Sequence, residues 1–184
     1  MTLTLQILIQ PYLPSSAEFR PYHPAVTEVA RRLRDAIQSR ETQLQVEHVG
    51  STSVPGCGGK GVVDLAVLYP EGFLASAKAV LDGLGFQRQG GPEPFPEDRP
   101  MRVGSVDHDG RPFRIHAHVI ALGCNEHSEL IWFRDALCRD SALRHRYEES
   151  KRAILAQGIH DSIEYCKAKG SFITDALKER QPVA

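Results

Sequence analysis

The sequence contains no apolar run approaching the roughly 20 residues that cross a bilayer as a helix. Thr2 to Ile9 is apolar but short. It lacks a basic leader and alternates as a strand does, which is not a secretory pattern. Cys57, Cys124, Cys138 and Cys166 form no CxxC pair and no zinc-finger spacing. They read as free thiols, and a cytoplasmic location is expected. There is no GxxxxGK[ST] P-loop and no dinucleotide fingerprint. Charge of one sign is also missing: 22 basic and 23 acidic side chains give a formal net charge of −1. Such a balance offers no net attraction to nucleic acid or to a membrane surface. No repeat or low-complexity segment is visible. What is present, 184 residues of which 41% are hydrophobic and 24% charged, suits one globular domain over residues 1–184 with a substantial core.

The least ordinary stretch runs from Val46 to Tyr69, VEHVGSTSVPGCGGKGVVDLAVLY. It reads as an apolar strand, a loop of small residues and a second apolar strand interrupted by one carboxylate, Asp64. Gly50, Ser51, Thr52 and Ser53 supply hydroxyls and an unhindered backbone, a combination that can receive a phosphate. Gly58, Gly59 and Gly61 flank a lone cation, Lys60. An unpaired carboxylate inside a buried strand is costly, so Asp64 must meet a cation, a metal or a donor set, or sit at the strand's exposed end. Glycine-rich loops are also ordinary turns, and short motifs of this kind recur by chance. Cys57 sits in the same loop and reads as a small apolar filler.

The flanking elements follow from periodicity. Leu3, Leu5, Ile7 and Ile9 alternate with neighbours that are mostly polar, predicting a strand or extended arm, and a short helical turn is expected over Ser15 to Arg20. Pro24 opens a helix with Val26, Val29, Ala30, Leu33 and Ile37 on its buried stripe and Arg31, Arg32 and Arg34 on a solvated face. A second helix spans Gly72 to Leu81, with Gly83 and Gly85 ending it. Phe86 to Arg88 begins a strand. Gly90 to Pro100 is a long loop, with Arg99 and Arg102 at its exit. Two strands, 101–106 and 112–122, are joined through Asp109-Gly110, a strong hairpin signal. The last third is helical. Asn125 and Asp140 are expected as caps, and Asp161 with Glu164 as a capping box. The fourth helix carries Leu143, Tyr147, Ser150 and Ile154 on its stripe. The fifth has Ile163, Cys166, Gly170, Ile173 and Leu177 as its packed face and Tyr165, Lys169 and Phe172 as a second face.

Arg114, His116 and His118 share one face of their strand by alternation. Two imidazoles at i and i+2 can hold a divalent metal of the Mn²⁺, Zn²⁺ or Fe²⁺ kind, given a carboxylate from a neighbour. The plainer alternative is that both simply hydrogen-bond across the sheet or to Asp64. His48, two residues before the glycine turn, is a further candidate ligand.

The run His48-Val49-Gly50-Ser51-Thr52-Ser53-Val54-Pro55-Gly56, followed by Lys60 and Val62-Val63-Asp64, resembles the signature of the GrpB family. Pro11-Tyr12, His118-Val119, Phe133-Arg134-Asp135, Tyr147 with Lys151, and Tyr165 with Lys169 and Phe172 fit the same pattern in order, so the resemblance covers most of the chain. It implies the DNA polymerase β-like nucleotidyltransferase fold, whose strand–Gly-Ser–strand–Asp motif holds nucleotide phosphates and a metal. One departure stands out. That pattern has a second carboxylate two residues after the first, and position 66 here is Ala, which removes a ligand from a two-metal arrangement.

The expected architecture is therefore α+β. A small mixed sheet of nucleotidyltransferase-like type carries the 46–69 unit and the hairpin, with helices packed on it and a helical C-terminal layer. The expected partner is a nucleotide or another phosphorylated small molecule. It would be held at Gly50, Ser51, Thr52 and Ser53, with Lys60 and Asp64 as catalytic residues. Asp64, His116 and His118 would hold a divalent ion, Mg²⁺ or Mn²⁺ with Zn²⁺ as an alternative. His48, Arg114, Lys151, Tyr165 and Lys169 stand in reserve. Two rivals remain: a non-catalytic nucleotide-sensing or partner-docking module, favoured by Ala66, and a His/Asp metal-dependent phosphoester hydrolase, favoured by His116 and His118.

Overall fold

A computed structural model describes residues 7–180. The centre is a five-stranded mixed sheet in the order β1-β2-β5-β4-β3. Its strands are β1 (Gln45–Val49), β2 (Val62–Tyr69), β3 (Gln87–Arg88), β4 (Met101–His108) and β5 (Arg111–Ala121). Only β2 and β5 run parallel; the other neighbours are antiparallel. The helices are α1 (Ala25–Gln38), α2 (Leu74–Leu84), α3 (Asn125–Arg139), α4 (Ser141–Ala156) and α5 (Ser162–Lys178).

Alternation along the central strands divides the two faces of the sheet. Val63, Leu65 and Val67 of β2 and Ile115, Ala117 and Val119 of β5 face the layer of α1 and α2, where Val26, Val29, Leu33, Ile37, Ala77 and Leu81 complete the main core. A valine-rich strand buried among leucines is stabilised mainly by apolar area removed from water, about 25 cal/mol per Å². The opposite face carries Asp64, His116 and His118. Beside them Val49, Ala66, Leu68 and Ile120 pack under Leu130 and Ile131 of α3. α3, α4 and α5 join through Phe133, Leu137, Leu143, Tyr147 and Ala176, with Val54 and Cys57 of the glycine loop in the same cluster.

Local chemistry accounts for several element ends. Asp109 (φ 54°) and Gly110 (φ 75°) form the two-residue turn between β4 and β5, closed by the His108–Arg111 pair. Such turns need positive φ at both central positions, which Asp-Gly supplies. Asp140 accepts from the Ala142 and Leu143 amides, as expected of a cap, and Asp161 caps α5 by accepting from the Ile163 and Glu164 amides, which is the Asp161 half of the expected capping box.

Four expectations need correction. Ser15 to Arg20 is extended, because Arg20 pairs with Gly59 and the Ala17 amide bonds the His160 carbonyl. Asn125 is the first helical residue of α3, not its cap; Cys124 holds that position without a capping bond. α2 runs through Gly83 to Leu84 before Gly85 ends it at φ 101°. The faces of two C-terminal helices are rotated. α4 buries Lys151 where Ser150 was expected, and α5 buries Tyr165 and Ala176 while Cys166 is exposed. Residues 2–6 of the expected N-terminal strand lie outside the described residues. The part within them, ending at Gln10, pairs with Ser105 at 2.8 and 2.9 Å.

Candidate functional site

The glycine turn and the carboxylate are built against each other. Gly50 has φ +70°, and a Cβ there would lie 2.6 Å from Asp64 Oδ2, so only glycine lets the turn pass over the carboxylate. Three of the loop's groups are consumed in making the turn. Ser53 Oγ donates to the Gly50 carbonyl at 2.6 Å, and the Ser53 amide to the same carbonyl at 3.2 Å. Thr52 Oγ1 donates to the Val62 carbonyl at 2.9 Å. Its single proton is thus committed, so it accepts from His48 Nε2 at 3.0 Å. Among the described residues, Ser51 is the loop hydroxyl with no hydrogen bond. Its Oγ and Lys151 Nζ converge over Gly59, where a methyl would come within 2.7 and 3.3 Å of them.

Asp64 lies in β2 directly beside His116 of β5 in register. Its Oδ1 is 3.5 Å from His116 Nδ1 and 3.8 Å from His118 Nε2. Burial acts to raise the Asp64 carboxyl, but the hydrogen bonds and charges of the two imidazoles outweigh it and hold the group well below the usual carboxylate range. His118 is shifted downward, burial prevailing over the attraction of Asp64. A guanidinium only donates, so the 3.3 Å contact from Arg99 makes His118 Nδ1 an acceptor and leaves the neutral ring's proton on Nε2, toward Asp64. Tyr12 OH lies 2.9 Å from His116 Nε2.

These three side chains fit a divalent ion. One ligand atom from each lies within 4.8 Å of the other two. Tetrahedral zinc with bonds of about 2.1 Å sets its ligands about 3.4 Å apart, close to the His116–Asp64 separation. The outer partners also suit it. Tyr12 can accept from His116 Nε2 once Nδ1 is occupied. Arg99, already doubly bonded to Glu126, can release His118 Nδ1 to carry the ring proton.

Cations gather on the far side of the turn. Lys151 is 1% exposed. It donates to the Gly58 carbonyl, lies 3.5 Å from Cys57 Sγ and sits 4.1 Å over the Tyr147 ring. Burial pulls its pKa down, the Cys57 sulfur opposing. The same burial pushes the Cys57 thiol up and keeps it protonated. Lys169 is half-buried near Tyr147, Cys166, Asp64 and Tyr165. Its pKa is raised, the Tyr147 oxygen leading and burial opposing. Lys60 reaches Ser162 Oγ and Cys166 Sγ, both at 3.4 Å, and lies 5.4 Å over the Tyr165 ring. Among the described residues none of the three lysines has a carboxylate partner.

The structure therefore brings together Gly50, Ser51, Asp64, His116, His118, Lys151 and Lys169. Lys60 of the glycine loop and Tyr165 of α5 border them. His48 stays apart: it pairs in register with Leu65, on the α1 side of the sheet, and has no place in the Asp64 cluster. Arg114 is also structural. It donates to the Lys60 carbonyl at 2.7 Å and to Ser15 Oγ, tying the first segment to the loop. Ala66 is fully buried between Glu47 and His118 in register, and Glu47 is held by Arg134 at 2.9 Å. Arg31 and Arg34 of α1 are solvated as expected, Arg31 being paired with Glu28 and Asp35, whereas Arg32 is half-buried against His108 at 3.3 Å. Periodicity did not single out Tyr12, Arg99 and Glu126, which contact the two imidazoles or their partner. The proline beside Tyr12 and the loop exit at Arg99 were the available signals.

Residues 16–179 match the model of the GrpB protein family. A UPF0157 protein of Streptomyces coelicolor is 34% identical over 157 residues, covering 84% of this chain and 76% of that protein. The crystal structure of the conserved protein GrpB from Enterococcus faecalis superposes with a TM-score of 0.64 at 22% identity, over 88% of this chain and 98% of that one. A chain of the GLD-2/RNP-8 complex reaches a TM-score of 0.56 at 15% identity, over 83% of this chain and 50% of that one. The likeness in those structures is one of fold. With the family pattern matched across most of its length, the chain belongs to the GrpB family.

Proposed function

We propose that the protein binds a nucleotide or another phosphorylated small molecule at the Gly50–Ser51 turn, with metal-dependent nucleotidyl transfer as the activity this site would support. One observation carries the reading. Lys151 meets the unbonded Ser51 hydroxyl over Gly59, and Lys169 lies near Asp64, a carboxylate held ionised; among the described residues neither lysine has an ion-pair partner. Desolvated ammonium groups without anions are costly, and a phosphate would relieve them with charge-assisted hydrogen bonds.

In this reading Ser51 and the turn's backbone orient the phosphates, and Lys169 and Lys151 neutralise charge that develops on them. Lys60, on the glycine loop against α5, would add a further positive charge. Asp64, His116 and His118 would hold a divalent ion, which supplies a Lewis acid for a phosphoryl oxygen. Catalysis would then rest on positioning and electrostatics rather than on a covalent nucleophile. The protonated, buried Cys57 fits that assignment.

Ala66 favours a second reading. With one carboxylate and two imidazoles in place of paired carboxylates, the site suits binding without transfer, or phosphoester hydrolysis through metal-activated water. Thermal unfolding against nucleoside triphosphates, each with and without Mg²⁺, Mn²⁺ or Zn²⁺, separates these readings, because ligand binding to the folded state raises the midpoint. The primary reading expects a rise that needs nucleotide and metal together and vanishes in Asp64→Ala. A rise with metal alone supports the hydrolase. No response to any nucleotide contradicts the primary reading.

A further inference from the structure

The loop from Gly90 to Pro100 holds an aromatic ring over the site. Phe95 is 40% exposed, one of four large hydrophobic side chains left open to solvent among the described residues. Its ring meets His118 edge-on, with centroids 5.7 Å apart and planes at 84°. The Arg99 guanidinium lies 4.6 Å from the ring centroid. Phe95 thus stands partly open to solvent at the edge of the cluster, one imidazole away from Asp64.

The loop is built to keep the ring there. Phe95 stands between Pro94 and Pro96, so two fixed φ angles bracket it and the ordering cost is paid before any ligand arrives. Its amide bonds Gln89 Oε1 at 3.0 Å. Glu97 anchors the exit through Arg102, which is 1% exposed and also bonds Asp82 at 2.7 Å. Glu93 reaches Lys167 of α5 at 2.9 Å, so the loop spans from the sheet edge to the helix that carries Lys169.

We infer that Phe95 is the stacking platform for the base of a nucleoside triphosphate, and that it makes the site prefer nucleotides over phosphate esters without an aromatic ring. This rests on the phosphate-binding reading above and specifies its substrate class. A base stacked on the exposed part of the Phe95 ring would lie beside His118, next to Asp64, where that reading holds the phosphates. Ring stacking is tolerant of base identity, since every base has a π-face, so discrimination among bases is expected to be weak.

The test is calorimetric titration of the full chain with ATP, GTP, CTP and UTP, and separately with inorganic tripolyphosphate, all with Mn²⁺. It compares the wild type with Phe95→Ala and Phe95→Trp. Loss of one stacked base weakens binding by about 5- to 100-fold. Phe95→Ala is expected to weaken the nucleotides by that factor, to leave tripolyphosphate unchanged, and to be reversed in Phe95→Trp. Equal nucleotide affinity in Phe95→Ala overturns the inference, as does parallel loss of nucleotides and tripolyphosphate. Wild-type binding of tripolyphosphate but of no nucleotide overturns it while sparing the phosphate site. Binding of neither overturns both.

Discussion

A methyl group on Gly50 would sit 2.6 Å from Asp64 Oδ2 on a backbone at φ +70°. Gly50→Ala is therefore expected to cost about 1–3 kcal/mol in denaturant unfolding. Part of that cost should disappear when Asp64→Ala is added, since the two positions are in contact and couple. Additive losses would contradict the packing described. His48 gives a second test at this scale. Burial lowers its pKa to about 4, against 6.5 for the free side chain, with Arg134 acting in the same direction and Asp64 opposing. Below pH 6.5 the unfolded chain takes up a proton that the folded chain refuses. Stability is therefore full above about pH 6.5 and falls as the pH drops toward 4, by about 2–3 kcal/mol. His48→Gln keeps an N–H for Thr52 without titrating, so urea midpoints at pH 7.5 and pH 4.5 should differ less in that variant than in the wild type.

Within the C-terminal layer, α4 and α5 are each started by a capping aspartate. The Asp140 carboxylate caps α4 through two amides, and Asp140→Ala is expected to destabilise the protein by about 1 kcal/mol. An unchanged unfolding midpoint would contradict that role. These caps, the Asp-Gly turn and the apolar stripe of α1 were legible in the sequence, because each rests on local chemistry. The orientation of α5 was not. The sequence offered two faces, Ile163, Ile173 and Leu177 as the packed one and Tyr165, Lys169 and Phe172 as the second; in the structure Tyr165 is the buried one, and Ile173 packs with Phe172 on the same cluster. Periodicity weighs apolar residues alone and discounts a lysine. Burial of Lys151 and Lys169 depends instead on carbonyl, sulfur and aromatic partners brought by distant segments. The same limit explains the extended Ser15–Arg20 segment. Its backbone partners are Gly59 and His160, far away in sequence.

Across the whole molecule, the parallel pairing of β2 with β5 is what makes a site. It sets Asp64 beside His116 and leaves His118 one alternation away, on the face that α3, α4 and α5 enclose. The sequence showed that these residues share strand faces; which strands would be neighbours followed only from the resemblance. Ala66 marks where the site departs from a paired-carboxylate arrangement, and it is packed tightly under α3. Ala66→Asp is accordingly expected to destabilise the protein by about 3 kcal/mol in chelator, as an unpaired buried charge does, and to recover part of that loss when Mn²⁺ is added. No recovery with any divalent ion would count against a metal at Asp64. The central claim is that Asp64 and the lysines of α4 and α5 face one phosphate-bearing ligand. The most direct measurement is calorimetric titration of a nucleoside triphosphate with Mn²⁺ into the wild type, Asp64→Asn and Lys169→Met. The account predicts binding in the wild type, weakened about tenfold or more in each variant. Wild-type affinity retained in both variants, or no binding to the folded wild type, would contradict it.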